Sequence, residues 1–176
     1  MTPRLIVLNG PPAVGKSTLA GCYATDHPLT LNLDVDRVRD LIGGWRDDPG
    51  AAGLLARAVA VVAARAHLRG GHDVVVPQSV ARPGFLEQLE AVATETLAAF
   101  HELVVMADRA AVLRRFAERA RTAADPARAE PAEVAALYDR LTAYLARRPH
   151  AVVVPSAEGA VDETYRLMLT HLDAEE

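Results

Sequence analysis

The stretch GPPAVGKST, residues 10–18, constrains this chain more than any other. It follows RLIVLN (residues 4–9), a continuous branched run that predicts a parallel strand buried on both faces. It leads into residues 15–25, whose pattern predicts a helix. A strand-to-helix turn spaced G-x-x-x-x-G-K-[ST] has a physical logic. Gly10 and Gly15 accept backbone angles that turn successive N–H groups inward, around the oxygens of an anion. The positive end of the helix that starts near Gly15 points at the same place. Ala13, Val14, Gly15 and Thr18 complete the cradle with their amides. Lys16 can reach the β and γ phosphates of a nucleotide, and the Ser17 hydroxyl is suited to Mg²⁺. Lys16 is also the sole lysine of the chain, whose other cations are arginines. ATP and Mg²⁺ are the expected ligands.

Strand-length apolar runs alternate with helical segments through the rest of the sequence. Strands are expected at 29–34, 73–76, 101–107 and 150–155. Helices are expected at 35–43, 51–69, 83–99, in two pieces within 109–148, and at 160–173. Five strands separated by helices predict an α/β fold with a parallel sheet covered on both faces. With no internal repeat or linker, residues 1–176 read as one domain. Hydrophobic residues make up 51% and the net charge is −4, so no general attraction to nucleic acid or anionic lipid is expected. No run of some 18 apolar residues is evident, nor a signal-peptide layout at the start. These features lead to the expectation of a cytoplasmic protein without nucleic-acid or membrane partners, with a homodimer left open. A single cysteine, Cys22, excludes an internal disulfide. The six histidines lack metal-ligand spacing and are expected at the surface or at strand ends.

LIVLNGPPAVGKST, LNLDVDRVR, HDVVVPQSVARPGFLEQLE and LRRFAERAR together resemble the small P-loop kinase-like proteins. These are often grouped under an AAA-family ATPase label, and their relatives include gluconate kinase, chloramphenicol phosphotransferase and zeta-toxin kinases. The resemblance covers most of the chain, and the first block is its most specific part. It implies a three-layer P-loop NTPase fold with strand order 2-3-1-4-5. It also implies an arginine-bearing helical lid after the fourth strand, at about residues 109–131.

In many nucleotide-hydrolysing proteins a strand like Val74–Val76 ends in a carboxylate. Here it ends in Pro77-Gln78-Ser79. Asp34 and Asp36, near the carboxyl end of the second strand, are the candidates to do that acid's work. If the strand persists, both face one side; if a helix starts at Asp34, that residue is its N-cap. The resembling kinases carry an Asp followed three residues later by an Arg, matched here by Asp36 and Arg39. That resemblance implies Asp36 as acceptor of a substrate hydroxyl's proton or as a water-mediated Mg²⁺ ligand, with Asp34 in support. Gln78 or Ser79 could instead orient a water or touch the acceptor. Arg39, Trp45, Arg46 and Arg82 lie on the expected acceptor side. Phosphoryl transfer places charge on equatorial oxygens that mobile cations stabilise. Arg115 and Arg119 are four apart on one helical face. The resembling kinases carry lid arginines at such a spacing, which implies these two for that task, with Arg121 in reserve. The loop at 155–161 is where related kinases hold the adenine edge.

The leading expectation is an ATP-dependent phosphotransferase acting on a hydroxyl of a small molecule. The alternatives are a nucleotide-binding toxin-type or regulatory ATPase acting on a macromolecule or sugar precursor, and a nucleotide monophosphate kinase.

Overall fold

The computed structural model describes residues 2–80, 83–122 and 130–174. Five parallel strands form one sheet: β1 (Arg4–Asn9), β2 (Leu31–Asn32), β3 (Val74–Pro77), β4 (Ala99–Met106) and β5 (Val152–Pro155). Their order is β2-β3-β1-β4-β5, as the family resemblance implied. Seven helices accompany them among the described residues: α1 (Lys16–Asp26), α2 (Val35–Asp40), α3 (Pro49–Arg69), α4 (Pro83–Thr96), α5 (Arg109–Thr122), α6 (Pro131–Leu145) and α7 (Val161–Asp173).

Alternation along the strands divides the interior in two. Leu5, Val7, Val74 and Val76 point to one face, where α3 and α4 contribute Ala56, Ala60, Ala64, Leu86 and Leu89. Ile6, Leu8, Val75, Leu103 and Val105 point to the other, against Leu19, Val112, Val134, Met168 and Leu172 of α1, α5, α6 and α7. Each large apolar side chain withdrawn from water stabilises the fold by about 1.5–3 kcal/mol. Helix α3 turns Ala52, Ala56, Ala60 and Ala64 inward, one every four residues. Having no atoms beyond Cβ, they let the helix lie close against its neighbours.

Three features differ from the sequence expectations. The second strand is two residues long because Asp34 caps α2 at once and turns the chain out of the sheet. Helix α3, with alanines where charges could stand, is long and apolar enough to cross a membrane by length and composition; 28% of that window is buried. The expectation that no segment reaches spanning length is corrected on that point. His101 is neither at the surface nor at a strand end: it sits inside β4 at 4% exposure.

Buried polar side chains tie the layers together. The Glu102 carboxylate, from the middle of β4, accepts from Arg148 Nε at 2.9 Å and from Tyr144 Oη at 3.4 Å. Arg148 also pairs with Glu90 of α4. Two carboxylates therefore compensate one guanidinium. Burial of Tyr144, reinforced by the Glu102 charge, pushes its hydroxyl far above its ordinary pKa. Asn9, at the end of β1, donates to Glu102 at 3.4 Å and carries this network to the edge of the glycine loop.

Candidate active site

The loop between β1 and α1 holds an unusual backbone. Gly10, Ala13 and Gly15 have φ of 143°, 63° and 99°. A Cβ at Gly10 would lie 2.3 Å from the Val105 carbonyl oxygen, so no other residue fits beside β4. At Gly15, by contrast, a Cβ would meet nothing within 4 Å. That open space lies at the start of α1, where the first-turn N–H groups have no intrahelical partners. It is the shape that phosphate oxygens need.

Lys16 folds over this loop at 9% exposure. Its Nζ donates to the carbonyls of Gly10 at 2.9 Å and Pro11 at 2.7 Å. Burial pushes its pKa down to about 8, with Asp36 and Asp34 opposing and Arg119 assisting the shift. The charges of three of the expected site residues, Asp34, Asp36 and Arg119, therefore act on the Lys16 ammonium. Ser17 and Thr18 stand exposed in the first turn of α1. A hydroxyl is a hard oxygen donor of the kind that suits magnesium.

The strand-two acids adopt the capping alternative. Asp34 Oδ1 accepts from the Asp36 amide at 3.0 Å as the N-cap of α2. Asp36 occupies the first turn, and its Oδ1 lies 3.2 Å from Arg39 Nη1. Desolvation raises the Asp36 pKa above its usual value; Arg39 pulls it back, Asp34 and Asp40 push it further, and Lys16 lowers it. The Arg39 guanidinium also lies 4.3 Å from the Trp45 ring, and that of Arg46 lies 4.4 Å from it. The glycine-rich turn before α3 is thus fastened, through Arg39, to the carboxylate on α2.

The end of β3 serves the loop. Ser79 Oγ donates to the Gly10 carbonyl at 2.8 Å, the same oxygen that Lys16 approaches. Asn9, which sequence reasoning passed over, is fully buried. Its Oδ1 accepts from the amides of Gly10 and Val80, both at 2.8 Å. Its Nδ2 donates to the Val80 carbonyl at 3.0 Å. One carboxamide thus joins the glycine loop to the β3–α4 connection. An uncharged strand-end residue next to a glycine carries no distinctive signal in the sequence. Arg82 lies outside the described residues.

Arg115 and Arg119 both come from α5, which Val112 and Phe116 anchor to the core. They reach different places. Arg115 Nη1 and Nη2 each approach Ser156, at Oγ and O respectively, at 3.3 Å. Ser156 Oγ in turn donates to the Val14 carbonyl at 3.0 Å. A cavity of about 180 Å³ opens there, between Ala13, Val14 and Gly15 on one side and residues 156–159 on the other. Arg119, one turn further along, is the cation felt by Lys16. The first half of the expected lid is therefore a docked helix, while residues 123–129 lie outside the described part.

The fold is shared with solved structures of low sequence identity. A protein of Chloroflexus aurantiacus j-10-fl, provisionally named a kinase, is similar at 19% identity and a TM-score of 0.73, over 98% of this chain and 97% of that one. The tunicamycin resistance protein of Deinococcus radiodurans is similar at 18% identity and a TM-score of 0.64, covering 98% and 96%. A gluconokinase of Sinorhizobium meliloti 1021 is similar at 17% identity and a TM-score of 0.64, covering 98% and 93%. No curated protein sequence matches the chain. Residues 5–144, from β1 through α6, match the family model described as AAA domain, and the chain belongs to that family, built on a kinase-like P-loop fold.

Proposed function

We propose that the protein is an ATP-dependent phosphotransferase that moves the γ-phosphoryl group to a hydroxyl of a small molecule. The observation that carries this reading is the glycine loop itself. Gly15 faces open space at the start of α1, and the Lys16 ammonium lies buried over the Gly10 and Pro11 carbonyls, where the charges of Asp36 and Arg119 act on it. A triphosphate tail would lie along the amides of residues 13–18, with Lys16 on the β and γ phosphates. The base would occupy the cavity lined by Gly15, Arg115 and Gly159. Ser17, with Asp36 through water, would hold Mg²⁺, which offsets charge on the phosphates when bound. The acceptor hydroxyl approaches from the side of α2 and Trp45. Its proton passes to the Asp36 carboxylate while its oxygen bonds to the γ phosphorus. The bond from that phosphorus to the β–γ bridging oxygen breaks, ADP leaves, and Arg119 offsets charge on the equatorial oxygens. Arg39 holds Asp36 in orientation, and Asp34 fixes the turn that carries it.

The test is ADP release across a panel of hydroxyl compounds, with Asp36→Asn beside the native chain. Transfer should fall by about 10² or more while ATP still binds. Near-native transfer in Asp36→Asn would remove Asp36 from the base role. No ADP release with any acceptor class would count against a small-molecule hydroxyl.

A further inference from the structure

Helix α3 covers one face of the sheet with its alanines, yet its outer face is also apolar. Leu54, Leu55, Val59 and Val62 are between 52% and 68% exposed. With Ala51, Ala58 and Ala66, also exposed, they occupy one side of the helix along its length. Scattered exposed leucines are ordinary, but a contiguous stripe of this kind marks a contact surface.

The order of residues along the stripe names its occupant. Consider a two-fold axis crossing the helix between Ala58 and Val59. It sets Leu55 against Val62, Ala51 against Ala66, and Asp48 against Arg69, each pair occurring twice. Every one of these positions is exposed. Large side chains meet medium ones and small meet small. The span from Asp48 to Arg69 is about 30 Å at 1.5 Å per residue.

Charge agrees with this register. At the start of the helix Arg46, Asp47 and Asp48 leave one net negative charge; at its end Arg65, Arg69 and Glu95 leave one net positive charge. Asp48 spends Oδ1 on the Ala51 amide, at 3.0 Å, as the helix cap. Arg69 uses one amino group on Glu95, at 2.6 Å, which leaves other N–H donors for a second carboxylate. A parallel arrangement would set like ends together. The antiparallel one pairs opposite charges and opposes the helix dipoles.

We infer that the outer face of α3 is the interface of a two-fold symmetric homodimer, in which the two α3 helices pack antiparallel about Ala58 and Val59. The interface lies on the α3 side of the sheet and leaves the glycine loop accessible in both copies.

Sedimentation equilibrium over a micromolar concentration series should show twice the chain mass. Leu55→Glu combined with Val62→Glu should raise the dissociation constant at least about 30-fold, as central apolar anchors do. Far-ultraviolet circular dichroism and binding of a fluorescent ATP analogue should stay native in that variant, separating interface loss from misfolding. In a Cys22→Ala background, Ala51→Cys mixed with Ala66→Cys should oxidise to a covalent dimer, whereas either variant alone should not. A single-chain mass throughout the series would overturn the proposal. So would a dimer that survives both glutamates, or a failed mixed cross-link. A monomer that co-sediments with phosphatidylcholine vesicles, and loses this in the double variant, would assign the face to a lipid surface instead.

Discussion

Gly10 and Gly15 show how two residues of one type can have separate physical roles. Gly10→Ala drives a methyl into the Val105 carbonyl, with no flexible side chain to yield. Urea unfolding should show a loss of about 3 kcal/mol or more. Gly15→Ala meets open space and carries only the strain of φ 99°, about 1–2 kcal/mol, yet it fills the proposed phosphate cradle. Most stability should remain while nucleotide affinity disappears; a Gly15→Ala protein that binds ATP normally would contradict the site. Lys16 adds a pH signature. Its pKa is pushed down to about 8 by burial, and a bound phosphate would raise it. Binding must then take up a proton above that pH, so affinity weakens as pH rises. The dissociation constant should climb toward about tenfold per pH unit between pH 8 and roughly 10. Calorimetry in buffers of different ionisation heats would register the proton uptake, and an affinity flat above pH 8 would count against Lys16 as the phosphate ligand.

Elements here depend on polar partners far away in sequence. The side chain of Glu102 is only 2% exposed, and Arg148 supplies its charged partner. Arg148→Met should cost about 3–5 kcal/mol in urea unfolding, because it leaves the carboxylate buried and uncompensated. Adding Glu102→Gln should recover part of that loss, as expected for coupled neighbours. These connections explain what was legible in the chain and what was not. The glycine loop could be read because its chemistry lies within nine consecutive residues, 10–18. The strand order followed from resemblance. Asp34 could not be settled from sequence, since an acid after a strand suits both a ligand site and a helix cap. Asn9, Glu102 and Arg148 were invisible because their partners lie 46 to 93 positions apart. His101 defied expectation for a related reason: strand pattern does not say how deeply a central position is covered.

For the molecule as a whole, the loop is held by both halves of the interior. Gly10 abuts β4, Asn9 reaches the β3–α4 connection, and Ser156 ties the loop to the segment after β5. A ligand that orders this junction should stabilise the entire domain. At a hundred times its dissociation constant, Mg-ATP should add about 2.7 kcal/mol to unfolding. For a chain of this length that is a rise of roughly 5–10 °C in Tm. Differential scanning calorimetry should show the shift in the native protein and none in Lys16→Ala; equal shifts in both would place nucleotide binding elsewhere.

The brevity of β2 has a consequence for behaviour at high concentration. A sheet rim two residues long offers almost no ladder on which a foreign extended chain could add. The opposite rim, β5, stops at Pro155, which has no amide hydrogen to give. Fibril-like growth from the native state therefore lacks a template at either margin, and concentrated solutions are expected to keep their native spectrum instead of gaining cross-β signal.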